Sequence, residues 1–269
     1  MAIAICRPAR RLPRYIEATA AACFAASHAT FDNRHWTLDF PHRALGSPMG
    51  DSAHLQAVVF DLDGLMFNTE ELYHDVGTEL LRRRGHALTQ ELLNQMMGRP
   101  SPIALQIMID FHQLDATVAQ LQHETDEIFD QILSARLAPM PGLVPLLEQL
   151  EARRMPKAIA TSSRRSFVAK VLGHFSWAPR FDFILTAEDV THGKPHPEIY
   201  LRAAERLGLP PAQTLVLEDS QNGCRAAVAA GAFAVAVPGD HSRHHDFQGA
   251  RLVLETLADP RLFDALGWS

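Results

Sequence analysis

From Leu55 onward the chain carries two alternating kinds of apolar pattern. Short continuous apolar runs stand at Ala57–Phe60, Ala158–Ala160, Phe183–Leu185, Leu215–Leu217 and Ala234–Val237. Runs this short, apolar on both faces, are the mark of strands buried in a parallel sheet. Helical spacing of apolar residues covers about 142–154, 165–173, 196–208 and 221–230. After residue 141, strands and helices therefore alternate. That order predicts βαβ crossovers: an α/β, Rossmann-like parallel sheet with helices on both faces.

One segment breaks the alternation. Between Glu70 and Leu137 there is no strand-like run; helical periodicity spans roughly 70–84, 89–97, 101–113 and 116–136, punctuated by Gly85, Gly98-Arg99-Pro100 and Asp115. The expectation is an inserted α-helical cap domain over 68–140, with the core domain formed by 55–67 and 141–269. The first 54 residues fit neither part. The run from Ala18 to Ala26 follows Arg10, Arg11 and Arg14, as in a signal or transit peptide, but Glu17, Thr19 and Ser27 interrupt it and its core is alanine. The preferred reading is an N-terminal extension that is disordered or belongs to a start assigned too early, with Met49 where a natural start would fall.

Composition narrows the function classes. At 47% hydrophobic and 21% charged, the 269-residue chain has ample apolar surface to fold. Its net charge of -6 removes the main electrostatic argument for binding nucleic acid, which needs a basic face. No stretch approaches 18 consecutive apolar residues, so no membrane span is expected. Three unpaired cysteines, Cys6, Cys23 and Cys224, make no disulfide framework or CxxC metal signature and suit a reducing cytoplasm. Only three lysines occur, Lys157, Lys170 and Lys194, so chemistry needing a primary amine has few candidates.

In an open α/β sheet the ligand sits beyond the carboxyl ends of the strands. The first strand ends in Asp61-Leu62-Asp63-Gly64 and the second in Thr161-Ser162-Ser163. The third leads to Gly193-Lys194-Pro195, and the fourth ends in Glu218-Asp219-Ser220. Singly, each has a plainer role. DxDG suits a turn. Thr161-Ser162 suits the N-cap of a helix starting near Arg164, and Lys194-Pro195 a loop with Pro in the first helical turn. Together they bring two aspartates, hydroxyls, a lysine and an acidic pair to one rim.

Asp61-Leu62-Asp63-Gly64 with Thr69-Glu70, then Thr161-Ser162, Lys194-Pro195 and Glu218-Asp219-Ser220-x-Asn222-Gly223, resembles the haloacid dehalogenase superfamily over residues 55 to about 240. The helical insertion is similar to that of its β-phosphoglucomutase-like and sugar-phosphatase branch. The resemblance implies a Mg²⁺-dependent phosphoryl-transfer enzyme acting on a small phosphorylated metabolite. Asp61 would be the nucleophile that forms an aspartyl-phosphate and Asp63 the general acid/base. Lys194 would screen Asp61 from the phosphate, and Thr161 with the following backbone N–H groups would hold the phosphoryl oxygens. Asp61, the backbone carbonyl of Asp63, Asp219 and, as a further member, Glu218 would hold the cation.

Ser162, Ser163, Arg164 and Arg99 are the expected substrate contacts. The primary expectation is hydrolysis of sugar phosphates by a cytoplasmic monomer or weak dimer; the alternative is a phosphohexomutase. Mutases of this branch carry a histidine in the first cap helix, and by motif spacing that position is Tyr73, beside His74. Phe67 and Tyr73 are read as hinge and cap packing. Asp63 disfavours a dehalogenase proper, and the lack of lysine in 68–140 disfavours a Schiff-base hydrolase. His241, His244 and His245, flanked by Asp240 and Asp246, are read as a solvated loop; Arg82-Arg83-Arg84 is read as complementing a helix C-terminus.

Overall fold

The computed structural model describes residues 54–96 and 101–268. Expectations for residues 1–53 and for Arg99 lie outside the described residues. Six strands form one parallel sheet: β1 (Ala57–Phe60), β2 (Lys157–Ala160), β3 (Phe183–Leu185), β4 (Thr214–Glu218), β5 (Phe233–Ala236) and β6 (Leu252–Val253). Their order is β3-β2-β1-β4-β5-β6. β1 through β5 match the five apolar runs. β6 was not visible as a run, because it is only two residues long at a sheet edge with Val253 exposed.

Five helices belong to the sheet: α5 (Leu143–Ala152), α6 (Arg165–Phe175), α7 (Glu198–Leu207), α8 (Gln221–Ala229) and α9 (Pro260–Ala265). The interior divides into two apolar layers. One holds Phe60, Leu146, Ile159 and Leu217; the other holds Val59, Ala158, Val216, Tyr200 and Ala227. Helices thus cover both faces, as buried parallel strands require.

Four helices stand between β1 and α5: α1 (Thr69–Arg82), α2 (Gln90–Met96), α3 (Ser101–His112) and α4 (Val118–Arg136). Thr117 and Gln120 form a capping box that sets the start of α4. α1 buries Leu72, Val76, Leu80 and Leu81, and α4 buries Leu121, Ile128, Phe129 and Leu133, giving each helix an apolar stripe. Arg82 and Arg83 pair with Glu79, whereas Arg84 reaches Glu124 on α4 and donates to the Leu80 carbonyl.

The two linkers to this insertion lie against each other. Phe67 bridges to Pro139, the Asn68 N–H donates to the Ala138 carbonyl, and Ala138 N–H donates back to Asn68 Oδ1. Phe67 is fully buried and stacks on Phe175 with Trp177 alongside, so the expected hinge role is a packed one. Among the described residues no helix is long and apolar enough to cross a membrane.

Candidate active site

β1 and β4 are neighbours, with Phe60 opposite Leu217, so the residues that follow them stand side by side. The strand order reverses direction here, and such a switch point opens a crevice at the carboxyl ends. Into it the chain delivers Asp61 from β1 and Glu218 and Asp219 from β4, all buried. One carboxylate oxygen from each lies within 4.8 Å of the others.

Lys194 arrives from the loop between β3 and α7 and is the counter-charge. Its ammonium donates to Asp61 Oδ1 at 2.5 Å, Glu218 Oε1 at 2.6 Å and the Ala160 carbonyl at 3.0 Å, which uses all three protons. Burial works against its charge, but Asp61 and Glu218 outweigh it and hold its pKa above the ordinary lysine value. Glu218 is the other half of this clasp. Its Oε1 also accepts from the Tyr200 hydroxyl at 2.6 Å, and its Oε2 accepts from Ser220 Oγ at 3.0 Å. Ser220 in turn accepts from Gly223 N–H and caps α8 as expected. A side chain at Gly223 would overlap the Glu218 carboxylate, which explains glycine there.

Asp63 stands one turn of loop further on, surrounded by hydroxyls. Thr69 donates to its Oδ1 at 2.9 Å, and Thr161 and Ser163 donate to its Oδ2 at 3.2 and 2.6 Å. Burial raises its pKa, while the three hydroxyls pull the other way. Asp61 is pushed up to about 8, chiefly by burial; Lys194 opposes the rise, and Glu218 and Asp63 add to it. Burial, then Glu218 and Asp61, raise Asp219 as well.

Two groups outside the expected set join the rim. Glu70 lies against Gly64 and Asp219. In the sequence it reads as an acid in the first turn of α1, which the helix dipole already favours. Tyr200 reads as one residue of an apolar helical stripe with Ile199, Ala203 and Ala204. Gly64 has φ +73°, and a side chain there would collide with Asp219.

The other expected contacts separate. Ser163 is on Asp63. Ser162 and Arg164 are exposed at the mouth, with Arg164 at the N-cap of α6 but making no side-chain cap. Arg165 turns away to pair with Asp189. Pro197, not Pro195, precedes the first turn of α7, which corrects the plainer reading of Lys194-Pro195. Tyr73 is half exposed and packs on Phe129 of α4 and Phe167 of α6, with centroids 5.0 and 5.8 Å away. In the histidine-rich loop, Asp240 pairs with Arg243 and Asp246 with Arg225.

The donor set fits a hard divalent cation. Asp219 is 3% exposed, yet among the described residues no group donates a hydrogen bond to its carboxylate. Three buried carboxylates share one ammonium here, and oxygen-only donors favour Mg²⁺ over transition metals.

A model of the haloacid dehalogenase-like hydrolase family matches residues 58–237. The chain belongs to this family. It is 31% identical over 177 residues to the phosphorylated carbohydrates phosphatase of Thermotoga maritima, covering 66% of this chain and 82% of that protein. It is 32% identical over 180 residues to the fructose-1-phosphate phosphatase YqaB of Escherichia coli, covering 67% and 95%. The structure of CbbY from Rhodobacter sphaeroides in complex with phosphate superposes with a TM-score of 0.65 at 27% identity, over 76% of this chain and 96% of that one.

Proposed function

We propose that this hydrolase is a phosphatase that releases phosphate from small phosphorylated carbohydrates through an aspartyl-phosphate on Asp61. The observation that carries the reading is the juxtaposition on one loop of Asp61, held against Lys194, and Asp63, held by three hydroxyls. A Mg²⁺ ion held by Asp61, the Asp63 backbone carbonyl and Asp219 would supply the positive charge that lets a phosphate dianion approach this acidic rim.

The chain's own groups account for the proton movements. Lys194 opposes the rise that burial imposes on the Asp61 pKa and fixes one of its oxygens, leaving Oδ2 to attack phosphorus. As the phosphorus–oxygen bond to the sugar breaks, protonated Asp63 gives its proton to the leaving alkoxide. Asp63 then takes a proton from the water that attacks the aspartyl-phosphate, which frees Asp61 and inorganic phosphate. The raised pKa of Asp63 favours its acid form for the first step. Thr161 and the N–H groups after it stand where phosphoryl oxygens would be received. Glu218, with both oxygens engaged by Lys194, Tyr200 and Ser220, positions the lysine; it also remains in reach of a cation beside Asp61 and Asp219.

Mutase activity requires water to be kept from the aspartyl-phosphate. Tyr73 stands where mutases carry their timing histidine, and it is committed to an aromatic contact between the insertion and α6. That supports hydrolysis. The test is phosphate release from a panel of sugar phosphates with and without Mg²⁺, alongside conversion of β-glucose 1-phosphate to glucose 6-phosphate primed with the bisphosphate. Mg²⁺-dependent release that disappears in Asp61→Asn is expected. Isomerisation outpacing release would overturn the phosphatase reading.

A further inference from the structure

Outside the catalytic rim, a second group of metal-ligating side chains gathers on the loop that carries Lys194. His192 and His196 lie two residues before and two after the lysine, and Glu198 opens α7. One donor atom from each lies within 4.8 Å of the others. The two imidazole rings are 4.6 Å apart between centroids, and His192 Nδ1 is 3.0 Å from Glu198 Oε2. The lysine points inward to Asp61, whereas both histidines are exposed to solvent.

The carboxylate of this group is already fixed. Glu198 Oε1 accepts from Thr191 N–H at 3.0 Å and the Arg202 guanidinium at 2.6 Å, and Oε2 accepts from His192 N–H at 2.9 Å. The backbone bonds from Thr191 and His192 hold its pKa down at about 2, so it stays anionic. An anchored anion flanked by two exposed imidazoles is chemically unlike the rim. The rim offers oxygen donors only and suits a hard ion; imidazoles suit borderline-soft ions.

We propose that His192, His196 and Glu198 form a second metal site, for a divalent transition ion of the Zn²⁺ class, with the fourth position open to water. Zinc bonds of about 2.0–2.2 Å place neighbouring donors roughly 3.3 Å apart around a tetrahedron. The separation between His192 and Glu198 is near that already. The remaining span closes by turning the exposed imidazoles; His196 Nδ1 accepts from the Glu198 N–H at 3.3 Å, which leaves its Nε2 for the ion. The ion takes a lone pair on one nitrogen of each neutral ring; where it binds His192 Nδ1, a proton on that nitrogen moves through solvent to Nε2 and the ring stays neutral.

The test is a Zn²⁺ titration by calorimetry on the full chain in saturating Mg²⁺, repeated with Co²⁺ for the intense visible band of tetrahedral coordination. The expected result is a binding event that His192→Ala and His196→Ala each weaken by at least about tenfold, since even groups that only orient a ligand account for that much. Asp219→Asn should leave the event in place, because it disables the rim and not the loop. Phosphate release in the two histidine variants checks that they fold. Absence of the binding event, affinity unchanged in both histidine variants, or its loss in Asp219→Asn would overturn the assignment.

Discussion

One substitution at two helical glycines should move stability in opposite directions. Gly173 in α6 and Gly223 in α8 both lack a positive φ, so alanine improves helix propensity at each by about 1 kcal/mol. A methyl on Gly173 meets no heavy atom within 4 Å. Gly173→Ala should therefore stabilise by about 0.5–1 kcal/mol. A methyl on Gly223 would overlap Glu218, and the carboxylate would have to retreat by roughly an ångström or more.

Glu218 has nowhere to go: it is fully buried and tied to Lys194, Tyr200 and Ser220. Overpacking costs about 1–3 kcal/mol, and breaking a buried ion pair about 3–5 kcal/mol. Lys194 keeps Asp61 as a partner, so the second cost is incurred only in part. After the gain in propensity, a net loss of about 2–4 kcal/mol is expected for Gly223→Ala. At about 2–4 °C per kcal/mol for a domain of this size, Tm should fall by roughly 4–16 °C, against a rise of roughly 1–4 °C for Gly173→Ala. Thermal unfolding of both variants, with phosphate release measured on each, decides the matter. If Gly223→Ala is as stable and active as the parent, then Glu218 does not hold Lys194 in place.

Asp61→Asn should cut phosphate release by at least about a thousandfold while thermal unfolding stays cooperative, because an amide cannot attack phosphorus. Ser163→Ala removes a hydrogen bond that lowers the Asp63 pKa, so that pKa should rise and the limb of the pH–rate profile set by Asp63 shift upward; an unmoved limb would disconnect Ser163 from the acid/base. Metal removal should have a pH-dependent effect. Asp61, with its pKa raised from 3.8 to about 8, favours its protonated form when folded, so its contribution to metal-free stability is lost as pH rises through that window. The gain in Tm on adding Mg²⁺ over a chelated sample should be larger at pH 8 than at pH 5.5; an equal or smaller gain at pH 8 would count against Asp61 as a ligand. Tyr73→His should alter the ratio of transfer to hydrolysis only modestly, in the coupled assay, because Phe129 and Phe167 still shape the wall it leaves.

Much of the sheet was legible because buried parallel strands write themselves as apolar runs, and β1 to β5 lie where the runs lie. α9 also carries a local mark: Asp259-Pro260 is an N-cap followed by proline at the first helical position, and the Asp259 carboxylate accepts from Arg261 N–H. β6 left no such mark. At the site, the charged residues could be read because acids at strand ends have few structural reasons to be there. Ala160 was not legible, since what it offers Lys194 is a backbone carbonyl that any residue has. Tyr200 was hidden for a related reason: its ring satisfies the helix pattern, and the hydroxyl that meets Glu218 is invisible to that pattern. The cluster of His192, His196 and Glu198 leaves less mark in the sequence than His241, His244 and His245, which are closer together along the chain. His192 and His196 face Glu198 because the loop folds back on the first turn of α7, and that return has no local signature.

The same contrast explains how one lysine can organise so acidic a rim. Asp61 and Glu218 are 157 residues apart in the chain, and only the pairing of β1 with β4 brings their carboxylates to one ammonium. Burial alone would raise the Asp61 pKa and lower that of Lys194. Held together, Lys194 stays charged because Asp61 and Glu218 face it, and Lys194 in turn opposes the rise that burial imposes on Asp61. Asp219 falls outside that exchange: Lys194 touches Asp61 and Glu218 but not Asp219. Among the described residues Asp219 is the member of this carboxylate trio that no side chain pairs with, and it is there that a cation has the most to stabilise.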